Sequence, residues 1–183
     1  MMDSIKGKMY PLAVFFLGAL LIGGVYFSFF APKEVDMGVS IPHTYSDVDE
    51  LKKEADLIIE GKTLNKRTWN HQGVPFTLSR VKVGSILAGK PKSKVIRVLE
   101  TGGMREGKHW TVEHNRVMEK EQDYVLFLRT YEGPVTNEES YVIVGAYQGK
   151  FQVEGQRVTP PAEVEKGLAG LQSKNQLITD IKK

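Results

Sequence analysis

The sequence predicts a mainly β protein: a small barrel or sandwich with a short flanking helix and a C-terminal helix, preceded by one N-terminal transmembrane helix. Three observations carry that expectation. Met9 to Pro32 is one apolar stretch without a formal charge. Beyond it, short runs of Val, Ile, Leu and Phe are separated by turns rich in Gly and Pro, the pattern of successive strands. No strand–helix–strand rhythm and no internal repeat interrupts that order.

The membrane segment comes first. Its 24 uncharged residues would span about 36 Å as a helix, more than the roughly 30 Å hydrocarbon core. Lys6 and Lys8 precede it, while Lys33, Glu34 and Asp36 follow, so the positive-inside bias places residues 1–8 in the cytoplasm. The competing reading is a cleaved signal peptide. Its apolar region would be shorter, and cleavage after Ala31 would put Phe29 where a small residue is wanted. The expectation is therefore a single-pass anchor over 9–32 in the lipid bilayer, a stem over 33–45 and an extracellular domain over 46–183.

Removing the first 32 residues leaves 151 of 183, enough to bury a core without disulfides or a structural metal. Apolar residues at 41% and charged residues at 26% exclude a disordered chain. The formal charge of +3 is spread in alternating signs with no basic block, which argues against nucleic acid as a partner. Cysteine is absent, which removes thiolate zinc sites, thiol catalysis and lipoprotein acylation. A cysteine-free exported protein suits a Gram-positive bacterium.

In chain order, Ser46 to Ala55 is predicted as a short amphipathic helix. Ser46 is a good N-cap, acidic residues fill the first turn, and Val48, Leu51 and Ala55 share a face. Asp56 to Leu64 is predicted as a strand, closed by the polar stretch Asn65 to Gly73. Phe76 to Leu87 is a long strand in which Phe76 and Leu78 fall in one phase and Val81 and Val83 in the other. That implies a bulge near Ser79-Arg80, of the kind that curls a sheet into a barrel. Ala88 to Pro91 is a turn, and Lys94 to Glu100 a strand ending at Gly102-Gly103. Tyr124 to Leu128, the most apolar run outside the membrane segment, should be a central strand. Tyr131 to Glu139 is a loop, and Val153 to Val158 a hairpin tip. Ser173 is placed to cap a final helix through Ile181, giving about six strands in all.

Several of these segments, in order, carry a resemblance: Ala55-Asp-Leu-Ile-Ile-Glu-Gly61, Phe76-Thr-Leu-Ser-Arg-Val-Lys-Val83, Ile86-Leu-Ala-Gly89, Ile96-Arg-Val-Leu-Glu-Thr-Gly-Gly103, Gln122-Asp-Tyr-Val-Leu-Phe-Leu128 and Gly149-Lys-Phe-Gln-Val153. The chain resembles a group of exported bacterial proteins, common in Gram-positive organisms, over roughly residues 55 to 158. Their domain is similar to the OB-type barrel of the netrin and tissue-inhibitor-of-metalloproteinase class. The resemblance implies fold rather than activity, because its motifs are core strands and turns. The eukaryotic inhibitors act through an N-terminal cysteine and are disulfide-linked; this chain has neither, so no inhibitory residue carries over.

Two groups of residues have chemical potential. His109, Glu113 and His114 approach the inverted zinc-protease pattern H-x-x-E-H, with one residue too many between the first two. A strand would put His109 and Glu113 on one face and His114 on the other, so a polar loop or strand edge is the plainer account of this metal candidate. Trp69 and His71, with Trp110, are candidates to line a ligand groove, as exposed aromatics do on OB-type barrels. Core packing is the plainer account of Trp110. Gly102-Gly103 lacks any phosphate-loop continuation, and no serine sits in a GxSxG elbow.

The expectation is a non-enzymatic, membrane-tethered binding module without a cofactor, facing a protein, peptide or cell-wall glycan. The alternatives are a metal-dependent enzyme built on His109, Glu113 and His114, or a structural subunit of a membrane complex.

Overall fold

The computed structural model describes residues 33–39, 41 and 43–183. The apolar segment 9–32 lies outside them. Among the described residues no helix is long and apolar enough to cross a membrane. Glu34–Lys183 form one compact unit.

Ten strands and three helices follow in order: β1 (Lys33–Met37), α1 (Val48–Glu54), β2 (Leu57–His71), β3 (Val74–Gly89), β4 (Val95–Thr101), β5 (Gly103–Arg105), β6 (Lys108–Val112), β7 (Asp123–Thr130), β8 (Tyr141–Ile143), β9 (Lys150–Glu154), β10 (Arg157–Thr159), α2 (Lys166–Ala169) and α3 (Lys174–Lys182). The larger sheet has the order β10-β9-β7-β2-β3-β4-β8, and β8 also pairs with β7. That last pairing closes β7, β2, β3, β4 and β8 into a five-stranded barrel. Every pairing in the barrel is antiparallel except β4 with β8. One edge of β7 serves two partners along its length: Asp123–Leu126 pair with β9 and Leu128–Thr130 with β8.

Two cores follow from alternation on the central strands. Leu57 and Ile59 of β2 and Tyr124, Leu126 and Leu128 of β7 point into the barrel with Val81, Ile96, Val98, Met118 and Ile143. Ile58, Val125 and Phe127 point outward, where α1 and α3 cover them with Val48, Leu51, Leu177 and Ile181. Both faces of β7 are buried, which is why its sequence is an unbroken apolar run rather than an alternating one. Phe127 and Phe151 meet edge to face in this outer core, with centroids 5.8 Å apart.

The long hairpin differs from expectation. β2 does not stop at Leu64 but runs to His71, so the polar stretch after it is strand rather than loop. Its far half pairs only with β3, which leaves its other edge unpaired, and its residues from Asn65 on are half-buried or exposed, where polar side chains cost little. The phase of β3 is also continuous. Thr77, Ser79 and Val81 are all fully buried in one phase, so the inward residues near the hairpin end are polar. The extra residues lie instead at Leu64 in β2 and at Gly84 and Leu87 in β3, where the register shifts. These bulges bend the hairpin as a barrel requires. Gly89, at φ 78, ends β3 where a Cβ would strike the Asp56 carbonyl.

The residues expected as a stem are partly structured. β1 joins β6 and β5 in a three-stranded sheet of order β1-β6-β5. Tyr45 is buried, its amide donating to Gln148 Oε1 at 2.8 Å. Asp47, not Ser46, caps α1, accepting from the Glu50 amide at 3.0 Å, while Glu50 in turn accepts from the Ser46 amide at 2.8 Å. Ser173 precedes α3 as predicted but makes no side-chain cap.

Candidate functional site

The projecting part of the β2–β3 hairpin decides where the chemical side chains go. Residues directly opposite in an antiparallel register share a face. Trp69 stands opposite Phe76, Arg67 opposite Leu78, Leu78 opposite Leu99, and Arg80 opposite Arg97. The outer face of β2, β3 and β4 therefore presents Trp69, Arg67, Phe76, Arg80 and Arg97 together. His71 alternates onto the same face and meets the Phe76 ring edge to face, centroids 6.2 Å apart. The Arg67 guanidinium lies over the Trp69 ring, 5.4 Å from its centroid.

Glu138, from the loop between β7 and β8, enters this face. One carboxylate oxygen accepts from Arg67, and the other forms an ion pair with Arg97 Nε at 3.0 Å. Since β3 runs between the strands that carry these arginines, the loop crosses over β3. Neighbouring Glu139 pairs with Lys92 at 2.7 Å. The loop is braced from within. The Tyr131 amide donates to the Ser140 carbonyl at 3.0 Å, and the Val135 amide donates to the Tyr131 hydroxyl at 2.8 Å. Arg80 is exposed and has no ion-pair partner among the described residues. With side chains 61%, 44% and 39% exposed, Arg67, Arg97 and Glu138 form a solvated pairing that contributes little stability.

The opposite face of the same ribbon is a packed polar end of the barrel. Thr68 and Thr77 share a hydrogen bond at 2.8 Å, and Gly103 sits against both at φ 127, where any Cβ would collide with their hydroxyls. Trp110 pairs with Gly103 and is half-buried, its Nε1 enclosed without a partner among the described residues. The Arg105 guanidinium lies 5.5 Å from the Trp110 centroid and donates to the Gly73 carbonyl at 2.8 Å, tying the β5–β6 hairpin to the tip of β2–β3. So Trp69 and His71 come together, whereas Trp110 packs behind the ribbon.

Deeper in the barrel end, Lys150 pairs with Glu100 at 2.7 Å, their side chains 9% and 3% exposed. The Met118 amide donates to both Glu100 oxygens, at 3.2 and 3.0 Å, and Lys150 also donates to the Arg116 carbonyl. The two charges thus compensate each other and are further held by backbone groups. Tyr124 lies beside them, its hydroxyl accepting from the Glu119 amide at 3.0 Å. Burial pushes its phenol up to about 12, with the Glu100 and Glu119 charges acting the same way.

The residues His109, Glu113 and His114 are not gathered as ligands. Among the described residues no three His, Asp or Glu side chains form a group able to hold a metal. His109 lies in β6 opposite Met104, while Glu113 and His114 follow the strand's end in left-handed conformation, φ 47 and 60. That turn serves another purpose. Asp36 of β1 accepts from the His114 amide at 2.8 Å and the Thr111 hydroxyl at 2.9 Å. The His114 amide, helped by Thr111, holds the Asp36 carboxyl below its ordinary range.

Sequence reasoning did not single out Arg67, Arg80, Arg97 or Glu138. Arg67-Thr-Trp69 does alternate a cation with an aromatic, but only the register of β2, β3 and β4 shows that three separated arginines share one face. No protein-family model, curated protein or solved structure gives a significant match to the chain.

Proposed function

We propose that the chain is a membrane-tethered, extracytoplasmic binding module, anchored through 9–32 with its N-terminus in the cytoplasm. The barrel would face outward and bind its ligand on the outer face of β2, β3 and β4. The observation that carries this reading is the grouping of Arg67, Arg80 and Arg97 with Trp69 and His71 on one sheet face, around the buried Leu78 and Leu99. The barrel order, with β4 and β8 as its one parallel pair, supports an OB-type assignment. Barrels of that class take ligands over this face and its adjoining loops. The expected resemblance to exported bacterial proteins, whose domain is similar to the OB-type barrel of the netrin and tissue-inhibitor class, is in line with the same reading.

A photo-crosslinking residue at Trp69, with a control at Gln156 on the distant β9–β10 turn, tests the face in living cells. An adduct at 69 and none at 156 is expected; adducts at neither or at both overturn the assignment. A tag at Lys183 on intact cells or protoplasts tests the topology. Digestion by added protease, with the remainder in the membrane, is expected. A protected tag overturns the extracytoplasmic reading, and a shortened, released chain overturns the anchor.

A further inference from the structure

We infer that the Glu138-Glu139 segment is an internal stand-in for the ligand, and that the ligand is an acidic peptide segment of a partner protein. The inference rests on the binding-face reading above and adds to it a ligand class and a built-in competitor.

The loop already shows what the face accepts. Glu138 bridges Arg67 and Arg97 on either side of β3, and Glu139 beside it pairs with Lys92. Glu138 is paired on both sides, one arginine per oxygen, the charge complementarity that suits guanidinium to a carboxylate. The face matches a peptide chain rather than a lone anion, because its occupant is backbone with acidic side chains at successive positions.

The internal occupant is also replaceable. The pairs are largely exposed, so water and an incoming carboxylate reach them, and their net worth is small. The loop is also braced by bonds that do not involve the arginines, from the Tyr131 amide to the Ser140 carbonyl and from the Val135 amide to the Tyr131 hydroxyl. Arg80 stands ready opposite Arg97 without an ion-pair partner among the described residues. A segment carrying one further acidic group would gain a contact that the loop lacks. Phe76 and Trp69 beside the arginines give an apolar neighbour on the same segment a place to pack.

Competition by a tethered segment lowers apparent affinity by the fraction of molecules whose face is open. A short loop holds its carboxylates at an effective concentration in the millimolar range. The test uses the purified full-length chain and a fluorescent peptide of the sequence Pro134–Tyr141, read by anisotropy. Glu138→Gln with Glu139→Gln is expected to bind this peptide about tenfold tighter than the unaltered chain. Adding Arg67→Gln and Arg97→Gln should abolish the gain, while circular dichroism stays unchanged. Equal binding by the unaltered and the glutamine chains overturns the internal-competitor role. Binding that survives loss of both arginines overturns the site. Displacement by polyphosphate at least as effective as by the peptide overturns the peptide class in favour of a general oxyanion. If the peptide experiment fails while the Trp69 adduct forms, only the ligand assignment falls; if both fail, so does the binding face.

Discussion

Arg80 stands directly opposite Arg97 in the antiparallel register of β3 and β4, two like charges on one solvated face. Such pairs cost rather than contribute stability, by roughly 0.2–1 kcal/mol. Glu138 offsets the repulsion at Arg97 and leaves Arg80 with no such partner among the described residues. The proposed anion-binding face would account for that arrangement. Arg80→Thr should therefore stabilise the protein by a few tenths of a kcal/mol, seen as a higher urea midpoint at unchanged slope, while weakening peptide binding by the Glu138→Gln, Glu139→Gln chain.

The buried pair in the barrel end should behave in the opposite way. Lys150→Met leaves the Glu100 carboxylate enclosed against the Met118 amide with its cation gone. A loss of about 3–5 kcal/mol is expected. Adding Glu100→Gln should restore a substantial part, because the uncompensated charge disappears. Urea unfolding of the two single variants and the double variant measures this. A double variant as unstable as the two losses combined would show that the residues do not act as a pair.

Gly103 is fixed by space as well as by backbone angle. Alanine there must adopt φ 127 and drive a methyl group into the Thr68 and Thr77 hydroxyls. Gly103→Ala should cost about 1–3 kcal/mol from backbone strain alone. Gly107, at φ 70 with open space around it, should cost less on the same substitution. Thermal unfolding of the two variants side by side checks that order.

Alkaline pH should destabilise the barrel through Tyr124. Its phenol is raised from an ordinary 10.0 to about 12, so the folded state favours the neutral form. That contribution is complete below pH 10 and fades as pH rises towards 12. Burial raises Tyr45 and Tyr147 in the same direction. Tyr124→Phe should cost about 1 kcal/mol at neutral pH by orphaning the Glu119 amide. It should also flatten the alkaline slope in urea titrations between pH 10 and 12, the range between the ordinary and the raised phenol value.

At the acid end, β1 should loosen first. The Asp36 carboxyl is held below its ordinary range, so its contribution is present above the ordinary carboxylate value and is lost as pH falls through the depressed one. Asp36→Asn keeps an acceptor but not the charge. Hydrogen exchange at the His114 amide should be faster in this variant at neutral pH, and its rate relative to the unaltered chain should converge at low pH. Equal exchange at neutral pH would mean that Asp36 does not hold the turn.

How much was legible in the sequence is clearest on the two long strands. β7 and the start of β2 announce themselves because both of their faces are buried, and the apolar run needs no partner to be recognised. The helix at Val48 and the turn at Gly155 are local matters of capping and backbone angle, and they stand where composition puts them. The metal-like spacing of His109, Glu113 and His114 was legible too, but the left-handed turn that follows β6 keeps the three from gathering.

By itself the sequence determined a mainly β domain, its principal strands and helices, and an uncharged apolar segment ahead of it, because periodicity and charge are properties of neighbours along the chain. Only the tertiary structure decided that β8 closes the barrel against both β4 and β7, and that β2 runs on past Leu64. It alone set Arg67, Arg80 and Arg97 on one face beneath Glu138. Those relations depend on register, and a shift of one residue between strands would turn each arginine to the other face.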